Sequence, residues 1–173
     1  LSEAEYKKVV FDFNNTAVDY LRDECVYELF EQQAKRTSDK TALIFAGKSY
    51  TYQQLDELSN GLAVSMRSLG IQQGDMVAVL LNRDEKVVLA QLAVLKIGAV
   101  FIPVDSRYPE DRIKYILSES GVKIIFKNAD NGLALPQARN IEDLDITPTA
   151  SVEHPPVDAG DTCYIIFTSG STG

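Results

Sequence analysis

The residues Thr168-Ser-Gly-Ser-Thr-Gly173 follow directly on the apolar run Tyr164-Ile-Ile-Phe167 and contain nothing but hydroxyl side chains and glycine. Gly170 and Gly173 admit positive φ and let another group approach the backbone closely. Successive backbone N–H groups in such a loop can form an anion-binding concavity. The hydroxyls of Thr168, Ser169, Ser171 and Thr172 can donate hydrogen bonds to anionic oxygens. The chemistry this pattern serves is the holding of phosphate. No lysine follows a glycine where the GxxxxGK[ST] nucleotide loop needs one, so the device is a different one. The competing reading is a solvated Ser/Gly linker, against which stands the abrupt change from apolar residues to hydroxyls and glycines.

Few other residues offer chemistry. His154 is the sole histidine. A catalytic histidine needs an orienting partner and a cleft, and Glu153-His-Pro-Pro156 supplies neither, so it reads as a solvated loop residue. Glu24, Glu28, Glu31, Asp56 and Glu57 read as solvation of polar helix faces. Cys25 and Cys163 are far apart in sequence and lack a metal-ligand pattern; both read as ordinary buried thiols. No metal site is expected within the chain. Asp105 and Arg112 are the charged residues expected near the ligand-facing edge of the sheet described next.

The elements that must position these groups announce themselves by period and punctuation. Ser2 with Glu5 forms a capping box for a short helix through Phe11, ended at Asn14-Asn15-Thr16; its apolar face is Tyr6, Val9, Val10 and Phe13. Asp23 is the expected cap of a second helix, with Val26, Leu29 and Phe30 at helical spacing. Thr41–Phe45 and Lys48–Tyr52 flank Ala46-Gly47 as a hairpin. Thr51 and Gln54 cap a helix with the stripe Leu55, Leu58, Leu62, Met66 and Leu69, closed by Gly70. From Asp75 the rhythm changes to a strand at Met76–Leu81, a helix at Asp84–Ile97, and a strand at Ala99–Val104. A helix at Glu110–Ser120 follows, opened by Pro109, and then a strand at Val122–Phe126. Unbroken apolar strands alternating with helices predict an α/β fold, a mostly parallel sheet with helices on both faces. Residues 127–160 form a long polar connection with order expected only at Asn140–Leu144. Asp161–Phe167 is expected to resume the sheet and deliver the glycine loop at its C-terminal edge, where ligands bind in open α/β sheets.

Composition narrows the class. The chain has 173 residues, 45% of them hydrophobic and 24% charged, which is the balance of a folded domain. A net charge of −8 excludes non-specific nucleic-acid binding, which needs basic surface. No apolar run approaches the roughly 18 residues of a membrane span, so no membrane partner is expected.

Three ordered motifs carry a family resemblance. Ser49-Tyr-Thr-Tyr-Gln-Gln-Leu55, Leu95-Lys-Ile-Gly-Ala-Val-Phe-Ile-Pro-Val-Asp105 with its continuation Ser106-Arg-Tyr-Pro-Glu-Asp-Arg112, and Thr168-Ser-Gly-Ser-Thr-Gly173 resemble, in order, core motifs of the adenylate-forming ligases. The first two read as structural. The third resembles the family's phosphate loop, whose usual Pro-Lys-Gly continuation is not in the sequence. The form of the second motif favours amino-acid-activating members. Residues 1–20 resemble the linker helix between a condensation and an adenylation domain of non-ribosomal peptide synthetases, and 21–173 the N-terminal portion of the adenylation domain, truncated at the phosphate loop.

The resemblance implies activation of an amino acid by ATP and Mg²⁺ to an aminoacyl-adenylate and pyrophosphate. Transfer to the phosphopantetheine thiol of a peptidyl carrier domain would follow; separately, the isolated cysteines point to the reducing cytoplasm. It implies three protein partners: an upstream condensation domain, the carrier domain and the remainder of the adenylation domain. It implies ATP-phosphate contacts at Thr168, Ser169, Gly170, Ser171, Thr172 and Gly173, and no catalytic residue within 1–173. The family's other substrate contacts lie further along such domains, so this stretch by itself is expected to be inactive. The alternatives are a stand-alone D-alanine carrier-protein ligase, against which the residues 1–16 count, and a non-catalytic interaction fragment of the same fold.

Overall fold

Four short strands form the central sheet of the computed structural model, which describes residues 1–168. They are β3 (Met76–Leu80), β4 (Val100–Pro103), β5 (Ile124–Lys127) and β6 (Ala138–Asn140), all parallel, in the order β4-β3-β5-β6. β3 is central and apolar throughout because both its faces are covered. Val77 and Val79 join Phe101, Ile124 and Phe126 in one core with helices α3 (Tyr52–Ser68) and α4 (Glu85–Lys96). Ala78 and Leu80 join Ile102, Val104 and Ile125 in a second core under α5 (Glu110–Glu119). Helices therefore lie on both faces, as the sequence pattern predicts.

Local signals set most boundaries. Thr51 accepts from the Gln54 N–H at 3.1 Å while the Gln54 side chain reaches back to the Thr51 N–H at 2.9 Å, opening α3. Strands β1 (Thr41–Phe45) and β2 (Lys48–Thr51) form an antiparallel hairpin. Its turn residues Ala46 and Gly47 both have positive φ, +48° and +79°, the requirement of a type I′ turn. At the N-terminus the Ser2–Glu5 box opens α1 (Glu3–Lys7), which continues as a π-helical turn over Lys8–Asp12. The Asn14 side chain donates to the Val10 carbonyl at 2.8 Å at its end. No residue of either turn is buried, and Tyr6, Val9, Val10 and Phe13 are all exposed.

Several expectations need correction. Asp23 does not cap α2 (Val26–Arg36); Cys25 does, because the Glu28 carboxylate, three residues on, accepts the Cys25 N–H at 2.7 Å. Pro109 is itself the cap of α5 rather than its first residue. The long connection contains a strand, β6, ahead of the turn Ile141–Asp143. Asp161–Phe167 does not form a strand. It makes one parallel bridge, Tyr164 with Phe101, through Phe101 N–H to Cys163 O at 2.9 Å and Ile165 N–H to Phe101 O at 3.0 Å. The next rung would need an N–H from residue 103, and Pro103 has none. Cys25 and Cys163 are half-buried and line one cleft beside Val157, not separate sites in the core. Burial first, then neighbouring Glu28, Asp158 and Asp161, pushes the Cys25 thiol up.

His154 is not a solvated loop residue, nor are Glu31 and Asp56 plain solvation. Lys96 is fully buried, with its ammonium 2.6 Å from Asp56 Oδ1 and 2.6 Å from Asn60 Oδ1. Glu31 Oε1 lies 3.6 Å from it, and His154 Nε2 is 3.0 Å from that same oxygen. α2, α3, α4 and the returning connection meet at this cluster. The helix at α4 was legible in the sequence; a buried ammonium within it was not.

The connection runs tightly along α3. Asn60 donates to Thr149 O at 3.0 Å, and Ser65 to Asp145 O at 2.5 Å. A Cβ on Gly61 would lie 2.1 Å from Thr147 O, a backbone atom. Gly61→Ala should therefore destabilise the chain by about 2 kcal/mol, the usual scale of overpacking, lowering the thermal midpoint by roughly 4–8 °C. An unchanged midpoint in differential scanning calorimetry would show that the connection does not cross α3 there.

A second brace links the strand ends. Glu142 accepts from Lys86 Nζ at 2.7 Å, Asn128 Nδ2 at 3.0 Å and Ala129 N–H at 3.0 Å. Burial alone would raise the Glu142 carboxyl, but the hydrogen bonds from Lys86, Asn128 and the backbone outweigh it and bring it down to about 2. A carboxyl depressed on folding stabilises above its unfolded value of about 4.3 and loses that contribution as pH falls toward 2. Urea unfolding between pH 5 and pH 2 should accordingly show a fall in stability that Glu142→Gln reduces. Equal pH slopes in the two proteins would rule the brace out.

Candidate functional site

The C-terminal ends of β3, β4 and β5 place three polar loops side by side. Asn128 is buried and its Oδ1 accepts the Asn82 N–H at 2.6 Å, tying the exit of β5 to that of β3. Ser106, after β4, donates to Asn82 Oδ1 at 3.2 Å. The edge is thus cross-linked by neutral hydrogen bonds, which leave its arginines facing outward.

Asp105 is the organising carboxylate. Arg107 reaches it with both Nε (2.9 Å) and Nη2 (2.6 Å), and the Arg107 N–H adds a third bond at 2.9 Å. Arg83 stands 3.6 Å away on the other side. The Arg107 hydrogen bonds hold the Asp105 carboxyl well below the usual carboxylate range. A carboxylate so engaged is no general base; it aligns two guanidiniums at this edge. Arg83 and Arg107 stay largely exposed. Sequence reading named Asp105 and missed both arginines. The available signal was their spacing, Arg107 two residues after the aspartate and Arg83 just past the end of β3. Arg112, the other charged candidate, lies over the Tyr115 ring at 5.4 Å, on α5.

A cleft of about 270 Å³ opens between the ends of β3 and β4, lined by Leu81, Arg83, Phe101, Asp105, Tyr108 and Phe167. Phe167 packs edge-on against Tyr115, with ring centroids 6.3 Å apart. Ile165 and Phe167 turn into the core under α5, whereas Tyr164, Ile166 and Thr168 face out. Thr168, next after the cleft-lining Phe167, therefore faces out at the C-terminal sheet edge. Ser169, Gly170, Ser171, Thr172 and Gly173 lie outside the described residues. Among the described residues no group of three or more His, Cys, Asp or Glu side chains could hold a metal ion. The arginine pair and the outward Thr168 suit an anion. Also among the described residues, no helix is long and apolar enough to cross a membrane.

Residues 30–173 match the family of AMP-binding enzymes. The whole chain aligns with bacitracin synthase 3 of Bacillus licheniformis at 36% identity over 176 residues, covering 3% of that protein. It aligns with gramicidin S synthase 2 of Brevibacillus brevis at 32% over 179 residues, covering 4% of it. The chain thus spans only a few per cent of the length of these curated relatives. Among solved structures, the Klebsiella oxytoca NpsA N-terminal subdomain in complex with 3-hydroxybenzoyl-AMSN superposes with a TM-score of 0.80 at 30% identity, over 91% of this chain and 41% of that one. The match takes in the sheet, its flanking helices and the hydroxyl–glycine run together: the chain belongs to the AMP-binding enzyme family.

Proposed function

We propose that this chain is the N-terminal part of an amino-acid adenylation domain of a non-ribosomal peptide synthetase, and that it contributes the binding site for the ATP phosphates. One observation carries the reading: a segment held at the β4 edge by the Phe101–Tyr164 bridge delivers Thr168 to the C-terminal end of a parallel sheet, at the head of a run of hydroxyls and glycines. The relatives add to it. Those cited are a bacitracin synthase and a gramicidin S synthase, and one solved neighbour is an artificially fused adenylation–PCP di-domain NRPS from Klebsiella oxytoca.

In this reading the amino-acid carboxylate attacks the α-phosphorus of ATP. The bond from that phosphorus to the bridging oxygen breaks, giving the aminoacyl-adenylate and pyrophosphate. Charge develops on the departing phosphates, so donors fixed in advance around them lower the barrier. The backbone amides and hydroxyls of Thr168, Ser169, Gly170, Ser171, Thr172 and Gly173 are assigned that role toward the β- and γ-phosphates. Bound Mg²⁺ would supply further charge neutralisation. No residue of this chain is assigned proton transfer or nucleophilic attack. The stretch alone is inactive, and the remainder of the adenylation domain completes the site. The thiol of phosphopantetheine on a peptidyl carrier domain then accepts the aminoacyl group.

Residues 1–20 are assigned to an interdomain linker following a condensation domain and 21–173 to the adenylation domain. The family match beginning at residue 30 and the wholly exposed α1 support that division. The enzyme is assigned to the cytoplasm.

The test is ATP–pyrophosphate exchange by the complete adenylation domain. Gly170→Val should abolish exchange, because a side chain there obstructs phosphate or forces a strained φ. Thr172→Ala should slow it about 10- to 100-fold, the loss of one or two charge-assisted hydrogen bonds. Far-ultraviolet circular dichroism should be unaltered in both. Wild-type exchange by Gly170→Val would make the loop a linker and remove the reading.

A further inference from the structure

Lys96, Glu31 and His154 pose a problem of hydrogen-bond supply. The Lys96 ammonium has three protons, and three acceptors lie within reach: Asp56 Oδ1 at 2.6 Å, Asn60 Oδ1 at 2.6 Å and Asp56 O at 3.3 Å. Glu31 Oε1, 3.6 Å from Nζ, is beyond a hydrogen bond from it. Its partner is His154 Nε2 at 3.0 Å. The other ring nitrogen, Nδ1, lies 3.0 Å from the Lys96 carbonyl oxygen. A carbonyl can only accept, and so can an ionised carboxylate; a neutral imidazole has a single N–H to give. Both contacts are made at once only when both ring nitrogens carry protons.

The charge count agrees. Lys96 faces two carboxylates, Asp56 and Glu31, so an imidazolium brings the cluster to neutrality. The Tyr27 ring flanks the imidazole, with centroids 4.8 Å apart. Burial first, then Glu28, Cys25 and Glu31, pushes its hydroxyl up to about 12, so it adds no charge. Glu153, on the histidine's own segment, faces solvent.

We propose that His154 is a positioning residue, a doubly protonated clasp that fixes the segment leading to Thr168 against α2 and α4. The chain passes from the clasp over Gly98, where a Cβ would meet Val157 Cγ2 at 2.8 Å and Pro155 Cγ at 3.0 Å. Gln73 Nε2 holds Pro156 O at 3.1 Å, and the turn closed by Asp161 N–H to Asp158 O at 2.9 Å leads to Cys163–Ile165 on Phe101. Loss of one imidazole proton removes one of the two tethers, so the clasp is closed at low pH and opens as pH rises. Nothing in this inference depends on a nucleotide, and the ATP reading can fail without touching it.

Because His154 is the sole histidine, its ring reports directly in long-range ¹H–¹⁵N spectra of the full chain. The expected result is the doubly protonated pattern at pH 7.5, where a free imidazole is about nine-tenths neutral, and its loss at that pH in Glu31→Gln. Amide exchange, corrected for the intrinsic rate, supplies the positioning readout. In His154→Ala the Phe101 and Ile165 amides should lose at least about tenfold protection, while amides of β3 and β5 keep theirs. Should that variant fail to fold, the wild-type titration decides: protection at Phe101 and Ile165 must fall with the same midpoint as the ring proton. A neutral ring at pH 7.5 (the outcome if Glu31 holds the proton instead) or protection that stays flat across the titration overturns the clasp.

Discussion

A buried ammonium governs this fold. Taking a lysine out of water costs several kcal/mol unless its protons and charge are met, and at Lys96 they are met by Asp56 and Asn60 from α3 with Glu31 of α2 close by. The contact is an arrangement of three helices as much as a pair of ions. Removing one partner of such a group leaves an uncompensated charge, at a cost of about 3–5 kcal/mol, so α2, α3 and α4 are held to one geometry. α4 in turn connects β3 to β4, and two residues after Lys96 the positive φ of Gly98, +70°, turns the chain into the second of these strands. The strand ends, and the polar loops on them, inherit their placement from that core.

At the other end of the sheet the same economy of charge appears with opposite effect. Asp105 is fully engaged by Arg107 and approached by Arg83, which removes it as a base and leaves two exposed guanidiniums at this edge. The interior of the edge is neutral, built from Asn82, Asn128 and Ser106. An edge with a neutral, cross-braced floor and two exposed guanidiniums, beside the outward Thr168, fits the proposed phosphate-bearing ligand. The sequence has no Walker-type lysine, which fits the proposal that backbone amides are the principal donors.

What was legible in the sequence was local. The Ser2–Glu5 and Thr51–Gln54 boxes, the Ala46-Gly47 turn and the apolar strands each rest on residues within a few positions of one another, and each stands in the structure. What was hidden was pairing across the chain. His154 meets Lys96 58 residues away and Lys96 meets Asp56 40 away, and no local period marks such partners. Asp161–Phe167 read as a full strand because it has the right composition; Pro103, on the neighbouring strand, decides otherwise. At the candidate site the position of Thr168 at the sheet edge was foreseeable from topology, whereas the arginine pair around Asp105 needed the loop geometry.

The central claim is that the sheet delivers the hydroxyl–glycine run to the phosphates of ATP. Its most direct test is a crystal structure of the complete adenylation domain with a non-hydrolysable ATP analogue. The predicted result is β- and γ-phosphate oxygens within about 3 Å of backbone nitrogens between Ser169 and Gly173 and of the Thr172 hydroxyl, with Thr168 at the C-terminal edge beside β4. A nucleotide bound elsewhere, with this run making no phosphate contact, would contradict it.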